Sequence, residues 1–333
     1  MKKALLIGVD DYECKRFDKL CGCVKDAENL AHALELNANR DQTKNFYVEV
    51  LKDCNSSAFA QQKIEALFQA DGQKTMALFY FAGHGTTAVN GGQIVFKDGS
   101  TLDMATILAI VANSQILNKI IFFDCCLAGQ MGSDPFTPYY SILPDGVTIM
   151  TACTDKQNAG EECNEGGLFT QLLVNALNGG AADFLGQITI GGIYAYIDQL
   201  LGGSNQRPVL KTNVRSFALI KQVTPQVSVR DLRKIMMKCF ENPDKEYKLD
   251  SSYEPTNEPN HPNKPSDYHA PYADEEHTKI FAILQSMVKI GLVIPCHDDP
   301  EKRHMYYAAM DGKSCKLTEK GKLCWRLVNE KII

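Results

Sequence analysis

Thr75-Met76-Ala77-Leu78-Phe79-Tyr80-Phe81, running into Ala82-Gly83-His84-Gly85, decides the fold. A short uncharged run that ends on glycines suits a strand covered on both faces. Comparable runs recur at 3–9, Phe46–Leu51, Lys119–Phe123 and Val147–Thr151. Between them, apolar residues recur at helical spacing over Ala27–Leu36, Ala58–Phe68 and Met104–Val111. A fourth such segment, Leu168–Leu177, stops at Asn178-Gly179-Gly180, a helix C-cap signal. Short apolar strands alternating with helices predict an α/β fold, a doubly wound and mostly parallel sheet flanked by helices. A helix over Ile190–Leu201 and a last strand over Val214–Ile220 complete it, and Asn90-Gly91-Gly92 within Thr86–Phe96 predicts a small hairpin beside the sheet.

The chain has 333 residues, 44% of them hydrophobic, which suits one large or two modest globular domains. No apolar run reaches the roughly 18–20 residues of a membrane span. Met1-Lys2-Lys3 followed by Ala4–Val9 resembles the start of a signal peptide, but Asp10 and Asp11 end the apolar run too early, so an opening strand is expected. Twelve cysteines show no framework and no Cys-x-x-Cys pair, which argues for reduced thiols in the cytoplasm and against a structural zinc site. Residues 225–333 hold 17 Lys+Arg against 17 Asp+Glu, so the net charge of −5 belongs to residues 1–224 and serves solubility.

Domain boundaries follow from composition. Residues 1–224 form the α/β domain. Residues 225–276 read as a helix and a proline-rich linker, since six of the thirteen prolines fall between 241 and 276. Residues 277–333 read as a small α+β module: a helix over Glu275–Ile290, strands at Gly291–Pro295 and Met305–Met310, and a final helix over Thr318–Asn329 capped by Thr318. That order resembles a winged helix.

Two strand ends carry the chemistry. One delivers His84-Gly85; the other, Ile120-Ile121-Phe122-Phe123, delivers Asp124-Cys125-Cys126-Leu127-Ala128-Gly129. Sites in open α/β sheets form at the carboxyl ends of strands. A thiol needs a nearby base to become a thiolate at neutral pH, and imidazole suits that task. The N–H groups of Gly85 and the nucleophilic cysteine are candidates to hold an oxyanion. An apolar strand into His-Gly, followed by one into Asp-x-Cys-x-x-Gly, resembles the caspase and metacaspase peptidases. Leu20–Ala27 (Leu-Cys-Gly-Cys-Val-Lys-Asp-Ala), Thr151–Ala159 (Thr-Ala-Cys-Thr-Asp-Lys-Gln-Asn-Ala) and Gly167-Leu168-Phe169-Thr170 extend the resemblance to metacaspases across residues 1–222.

The resemblance implies a prokaryotic-type cysteine endopeptidase with His84 as base and Cys126 as nucleophile. Cys125 stands where the family has Ser, and Leu127 where it often has His. It also places Asp26 and Asp155 in the primary specificity pocket, with Cys23 and Cys125 beside them. Two carboxylates there favour Arg or Lys in the substrate. Asp124 is expected to order its loop. The biological setting expected is regulated proteolysis in signalling, cell death or defence; the alternative is a catalytically silent scaffold. Gln130–Asp145 reads as a mobile loop without Lys or Arg, so self-cleavage there is not expected. No cofactor is required. Calcium is an activator by resemblance, with Asp134, Asp145, Glu161, Glu162 and Glu165 as available oxygens but no EF-hand spacing. Residues 313–331 carry six basic and two acidic residues, yet the balanced domain points to a regulatory protein partner rather than nucleic acid.

Overall fold

The computed structural model describes residues 1–70, 72, 75–88, 91–125, 143–152, 161–162, 166–201, 208–262 and 265–333, with backbone alone at 88, 161, 162 and 166. It divides into two compact units, Met1–Thr224 and Pro225–Ile333.

The first unit runs β1 (Lys2–Gly8), α1 (Cys23–Glu35), β2 (Phe46–Lys52), α2 (Ser57–Phe68), β3 (Met76–Ala82), β4 (Gly85–Ala88), β5 (Gly91–Val95), β6 (Thr101–Asp103), α3 (Met104–Ala112), β7 (Asn118–Asp124) and β8 (Val147–Thr151). It continues with β9 (Glu161–Glu162), β10 (Gly166–Gly167), α4 (Leu168–Asn175), β11 (Gln187–Thr189), α5 (Ile190–Leu201), β12 (Val209–Asn213) and β13 (Leu219–Gln222). Six strands form the main sheet in the order β12-β8-β7-β3-β1-β2. All neighbours are parallel except β12 with β8.

The alternation of a pleated strand splits each apolar run between two cores. Leu6, Leu78, Tyr80, Ile120 and Phe122 pack with α1, α4 and α5 on one face. Leu5, Ile7, Phe79, Phe81, Ile121 and Phe123 pack with α2 and α3 on the other. Helices on both faces explain why these runs are apolar at every position. From β1 the chain turns outward to β2 and then returns to place β3 on the other side, so the switch point lies between β1 and β3.

The expected hairpin is present as β4–β5, and β6 adds a third antiparallel strand. The last strand of the main sheet is β12, not Val214–Ile220. Its residues are only partly buried at the sheet edge, so Val209-Leu210-Lys211-Thr212-Asn213 shows no apolar run, while Leu219–Gln222 pairs with β11 in a separate small sheet. Eight cysteines among the described residues are free thiols, but Cys21 is disulfide-bonded, against the expectation of uniformly reduced thiols. Spacing along the chain does not report which sulfurs a fold brings within bonding range.

The second unit contains α6 (Val229–Cys239), β14 (Tyr247–Lys248), α7 (Glu275–Lys289), β15 (Val293–Cys296), α8 (Met305–Met310), β16 (Ser314–Leu317) and α9 (Glu319–Asn329). The strands form an antiparallel sheet in the order β14-β16-β15. Thr318 caps α9 by accepting the N–H of Gly321. Met305–Met310, read as a strand, is helical because its buried residues Met305, Ala308 and Ala309 fall at positions i, i+3 and i+4. The proline-rich stretch read as a linker is packed into this unit. β14 pairs with β16, and the fully buried Asn257 side chain donates to the carbonyls of Ser251, His269 and Pro271 and accepts the N–H of His269. One amide thus organises a segment with almost no aliphatic residues.

Candidate active site

The carboxyl ends of β1, β3, β7 and β8 lie level. Gly8 pairs with Ala82 and Ala82 with Asp124, while the Val9 N–H donates to the Ala82 carbonyl and the Ala152 N–H to that of Phe123. His84 therefore leaves β3 two residues past the partner of Asp124. Cys126 follows Asp124 by the same interval in the sequence but lies outside the described residues, as does Asp155.

The loop after β1 holds His84 from three sides. The Tyr12 hydroxyl accepts the His84 backbone N–H at 2.8 Å, and its ring lies 4.8 Å from the imidazole, with the Phe17 ring at 5.6 Å. The imidazole Nε2 meets the Asp18 carbonyl oxygen at 2.8 Å. A carbonyl only accepts, so in the neutral ring Nε2 carries the proton and Nδ1 keeps its lone pair. The imidazole is thus set up as a base at Nδ1.

That loop is itself tied down. The Asp53 carboxylate accepts the N–H groups of Asp10 and Asp11, and Asp11 pairs with Lys19 at 2.5 Å and Lys97 at 3.0 Å. The hydrogen bonds and charges of Lys19 and Lys97 hold the Asp11 carboxyl below its usual range. Asp10 accepts the N–H groups of Cys23 and Val24, which fastens the start of α1 to the same loop. Burial raises the Tyr12 phenol well above its ordinary value; the His84 N–H opposes this, and nearby Cys23, Cys125 and Asp10 reinforce it. Cys23 and Cys125 are therefore buried neighbours of Tyr12.

Gly83 makes the approach of Tyr12 feasible. Its φ is +153°, and a Cβ there would sit 2.7 Å from the Tyr12 oxygen and 2.9 Å from the Phe81 ring. Gly85 opens β4. The Val95 N–H donates to the His84 carbonyl, which makes Gly85 and Ile94 a non-hydrogen-bonded pair. The Gly85 N–H accordingly points off the edge of the small sheet and is not taken up by its ladder, so it can serve an anionic oxygen.

Asp26 and Asp124 converge behind this edge. Asp26, in the first turn of α1 and 2% exposed, accepts the Gly167 N–H through Oδ2 at 2.7 Å. Asp124 accepts the Thr170 hydroxyl through Oδ2 at 2.8 Å. That hydroxyl spends its proton on Asp124, so the Tyr80 hydroxyl, also at 2.8 Å, donates to it. A Cβ on Gly167 would lie 2.6 Å from the Asp124 Oδ2 and 3.3 Å from the Asp26 Oδ2. Two buried carboxylates thus meet at one glycine at the head of α4.

Sequence reasoning named His84, Gly85, Asp26, Cys23 and Cys125, and the fold brings all five to this edge. It missed the loop after β1. Tyr12, Phe17 and the Asp18 carbonyl carry no motif, and a backbone oxygen leaves no trace in residue identity. Asp124 is expected from the sequence to order the loop that follows it; residues 126–142 of that loop lie outside the described residues, and the carboxylate instead meets the Thr170 hydroxyl on α4 and lies near Asp26 across Gly167.

A family model described as the caspase domain matches residues 1–235. Among solved structures, the crystal structure of caspase-1 from Spodoptera frugiperda is similar at 14% sequence identity and a TM-score of 0.51, covering 67% of this chain and 90% of that one. At that identity the likeness concerns the fold. No curated protein sequence matches the chain.

Proposed function

The chain belongs to the caspase-domain family of cysteine peptidases, and on that premise we propose that it is a metacaspase-like endopeptidase cleaving after Arg or Lys, with Cys126 as nucleophile and His84 as base. One observation carries the reading. The Nε2 proton of His84 is committed to the Asp18 carbonyl, which leaves the Nδ1 lone pair at the carboxyl edge of the sheet, where β7 ends at Asp124 and Cys125 follows; Cys126 is the next residue in the sequence.

In this mechanism Nδ1 takes the thiol proton of Cys126. The thiolate sulfur then adds to the substrate carbonyl carbon, and the electron pair moves onto the oxygen. The N–H groups of Gly85 and Cys126 hold that oxyanion. Collapse breaks the C–N bond, and the proton on Nδ1 passes to the leaving amine. Water, deprotonated by His84, hydrolyses the thioester and returns the thiol. Asp18 provides the positioning contact throughout, because its carbonyl keeps the imidazole from rotating as it gains and loses the proton.

The specificity proposal rests on buried acid. Asp26 and Asp124 converge, Asp155 joins them by resemblance, and Cys23 and Cys125 pack nearby. A guanidinium or ammonium offsets such a cluster, whereas an acidic side chain adds to the repulsion. Calcium activation rests on the resemblance alone; among the described residues, no group of three or more His, Cys, Asp or Glu could hold a metal ion. The setting proposed is regulated proteolysis in the cytoplasm, with the second unit docking a regulatory protein; its likeness to a winged helix rests on the sequence pattern alone. No helix among the described residues is long and apolar enough to cross a membrane.

Purified chain, with and without calcium, tests the reading on matched fluorogenic peptides ending in Arg, Lys or Asp. Cleavage after Arg or Lys that disappears in both Cys126→Ala and His84→Ala is expected. Full activity in either variant overturns the dyad, and faster cleavage after Asp overturns the acidic pocket.

A further inference from the structure

The outer face of the small sheet in the second unit carries a feature that the peptidase reading does not use. Side chains paired across antiparallel strands share a face. Lys248 pairs with Ser314, Ser314 with Cys296, and Lys316 with Ile294, while the intervening Val293, Cys315 and Leu317 are buried on the other side. The outer face therefore presents Lys248 and Lys316 around Ile294, which is 42% exposed. Arg303 and Lys313 wall the same open groove, whose volume is about 770 Å³.

The charges in the groove are unbalanced. Lys313 is committed to Asp298 at 2.7 Å, and the Ser314 hydroxyl donates to Glu246. The Ser314 bond is the main reason the Glu246 carboxyl lies below its usual range; burial opposes it, and Cys296, Lys316 and Lys248 lower it further. With four cationic lining residues against two carboxylates, the groove holds two excess positive charges over an aliphatic floor.

We propose that this groove docks an acidic segment of a partner protein, its aliphatic side chains set over Ile294 and its carboxylates against Lys248, Lys316 and Arg303. Three observations favour a peptide over nucleic acid. The lining holds no Phe, Tyr or Trp, and its one imidazole, His297, is only 6% exposed and is held by Asp311 through Nε2 at 3.0 Å, so unpaired bases find little to stack on. Glu246 and Asp298 stand among the cations and repel a continuous phosphodiester. The unit as a whole is balanced, with 17 basic and 17 acidic residues, and so lacks the field that draws in a polyanion. Recognition uses the face rather than the β15 edge, because Pro295 lies within that edge strand and offers no N–H for strand addition.

The test is fluorescence anisotropy on the full chain carrying Cys126→Ala, with a fluorescein-labelled peptide of Glu-Leu-Glu repeats. That peptide lacks Lys and Arg, so the proposed active site offers it no cleavable residue, and failure here is separable from failure of the peptidase reading. Saturable binding that weakens with salt is expected, reduced about five- to tenfold in Lys248→Gln/Lys316→Gln and retained in Lys248→Arg/Lys316→Arg. Absence of binding, equal binding by the Gln-for-Glu peptide, or unchanged affinity in the Gln double variant overturns the proposal. Displacement of the peptide by a 16-base-pair DNA duplex at lower concentration than by unlabelled peptide also overturns it, in favour of a nucleic-acid site.

Discussion

Tyr12→Phe separates positioning of the base from packing around it. The substitution keeps the ring that lies against His84 and removes only the oxygen that accepts the His84 N–H at 2.8 Å. Tyr12 is 6% exposed, so that N–H loses a buried acceptor, a change of about 1–3 kcal/mol. Residues 83–84 then relax toward another acceptor, and the imidazole moves off the Asp18 carbonyl that sets its tautomer. If half or more of the cost falls on the competent arrangement, kcat drops about 2- to 160-fold, at about 1.36 kcal/mol per factor of ten. KM changes little, because Tyr12 stands on the His84 side and not among the carboxylates at Gly167. The assay is steady-state hydrolysis of an Arg peptide with kcat and KM resolved, beside a thermal melt. Loss of stability appears as about 2–4 °C in Tm per kcal/mol for a unit of this size. A melt lowered by several degrees with kcat unchanged refutes the argument and reduces Tyr12 to a packing residue.

Gly83→Ala places a Cβ 2.7 Å from the Tyr12 oxygen at a φ of +153°, so activity falls at least as far as in Tyr12→Phe; wild-type turnover in soluble, folded Gly83→Ala protein contradicts this. Thr170→Val removes the hydroxyl shared by Tyr80 and Asp124 and costs about 2–3 kcal/mol, read by urea denaturation; a loss under about 0.5 kcal/mol discounts the network. Burial lowers the Lys2 ammonium from 10.5 to about 8, although it donates to Asn45 and to the carbonyls of Leu219 and Ile220. The folded state therefore binds fewer protons than the unfolded state between these values, so this group disfavours folding below pH 8 and its penalty is relieved as pH rises toward 10.5. Lys2→Met should make stability rise less steeply with pH across pH 8–10; an identical slope in wild type and variant counts against a depressed Lys2.

Legibility followed the range of the interactions. The strands of the main sheet were readable because helices on both faces demand apolar residues throughout, as at Leu78-Phe79-Tyr80-Phe81. Edge strand β12 was not, since a half-covered strand tolerates Lys211, Thr212 and Asn213. Met305–Met310 was misread because six residues are too few to separate a period of 2 from one of 3.6. The proline-rich stretch misled for another reason. Its order comes from Asn257 and its backbone bonds, and hydrophobic patterning carries no record of a buried amide.

By itself, the sequence determined the layered α/β architecture and the residue types at its carboxyl edge, because local apolar patterning dictates strands and helices, and glycine, histidine and cysteine have few substitutes at such turns. Only the tertiary structure decided how His84 is oriented. Tyr12 and the Asp18 carbonyl reach it from 72 and 66 residues away in the chain. The same holds for the meeting of Asp26 with Asp124 across Gly167 and for the gathering of Lys248, Lys316 and Arg303 around Ile294. Such contacts are set by strand register, parallel in the main sheet and antiparallel in the small sheet of the second unit, and by loop closure, long-range features to which no single segment of sequence is committed.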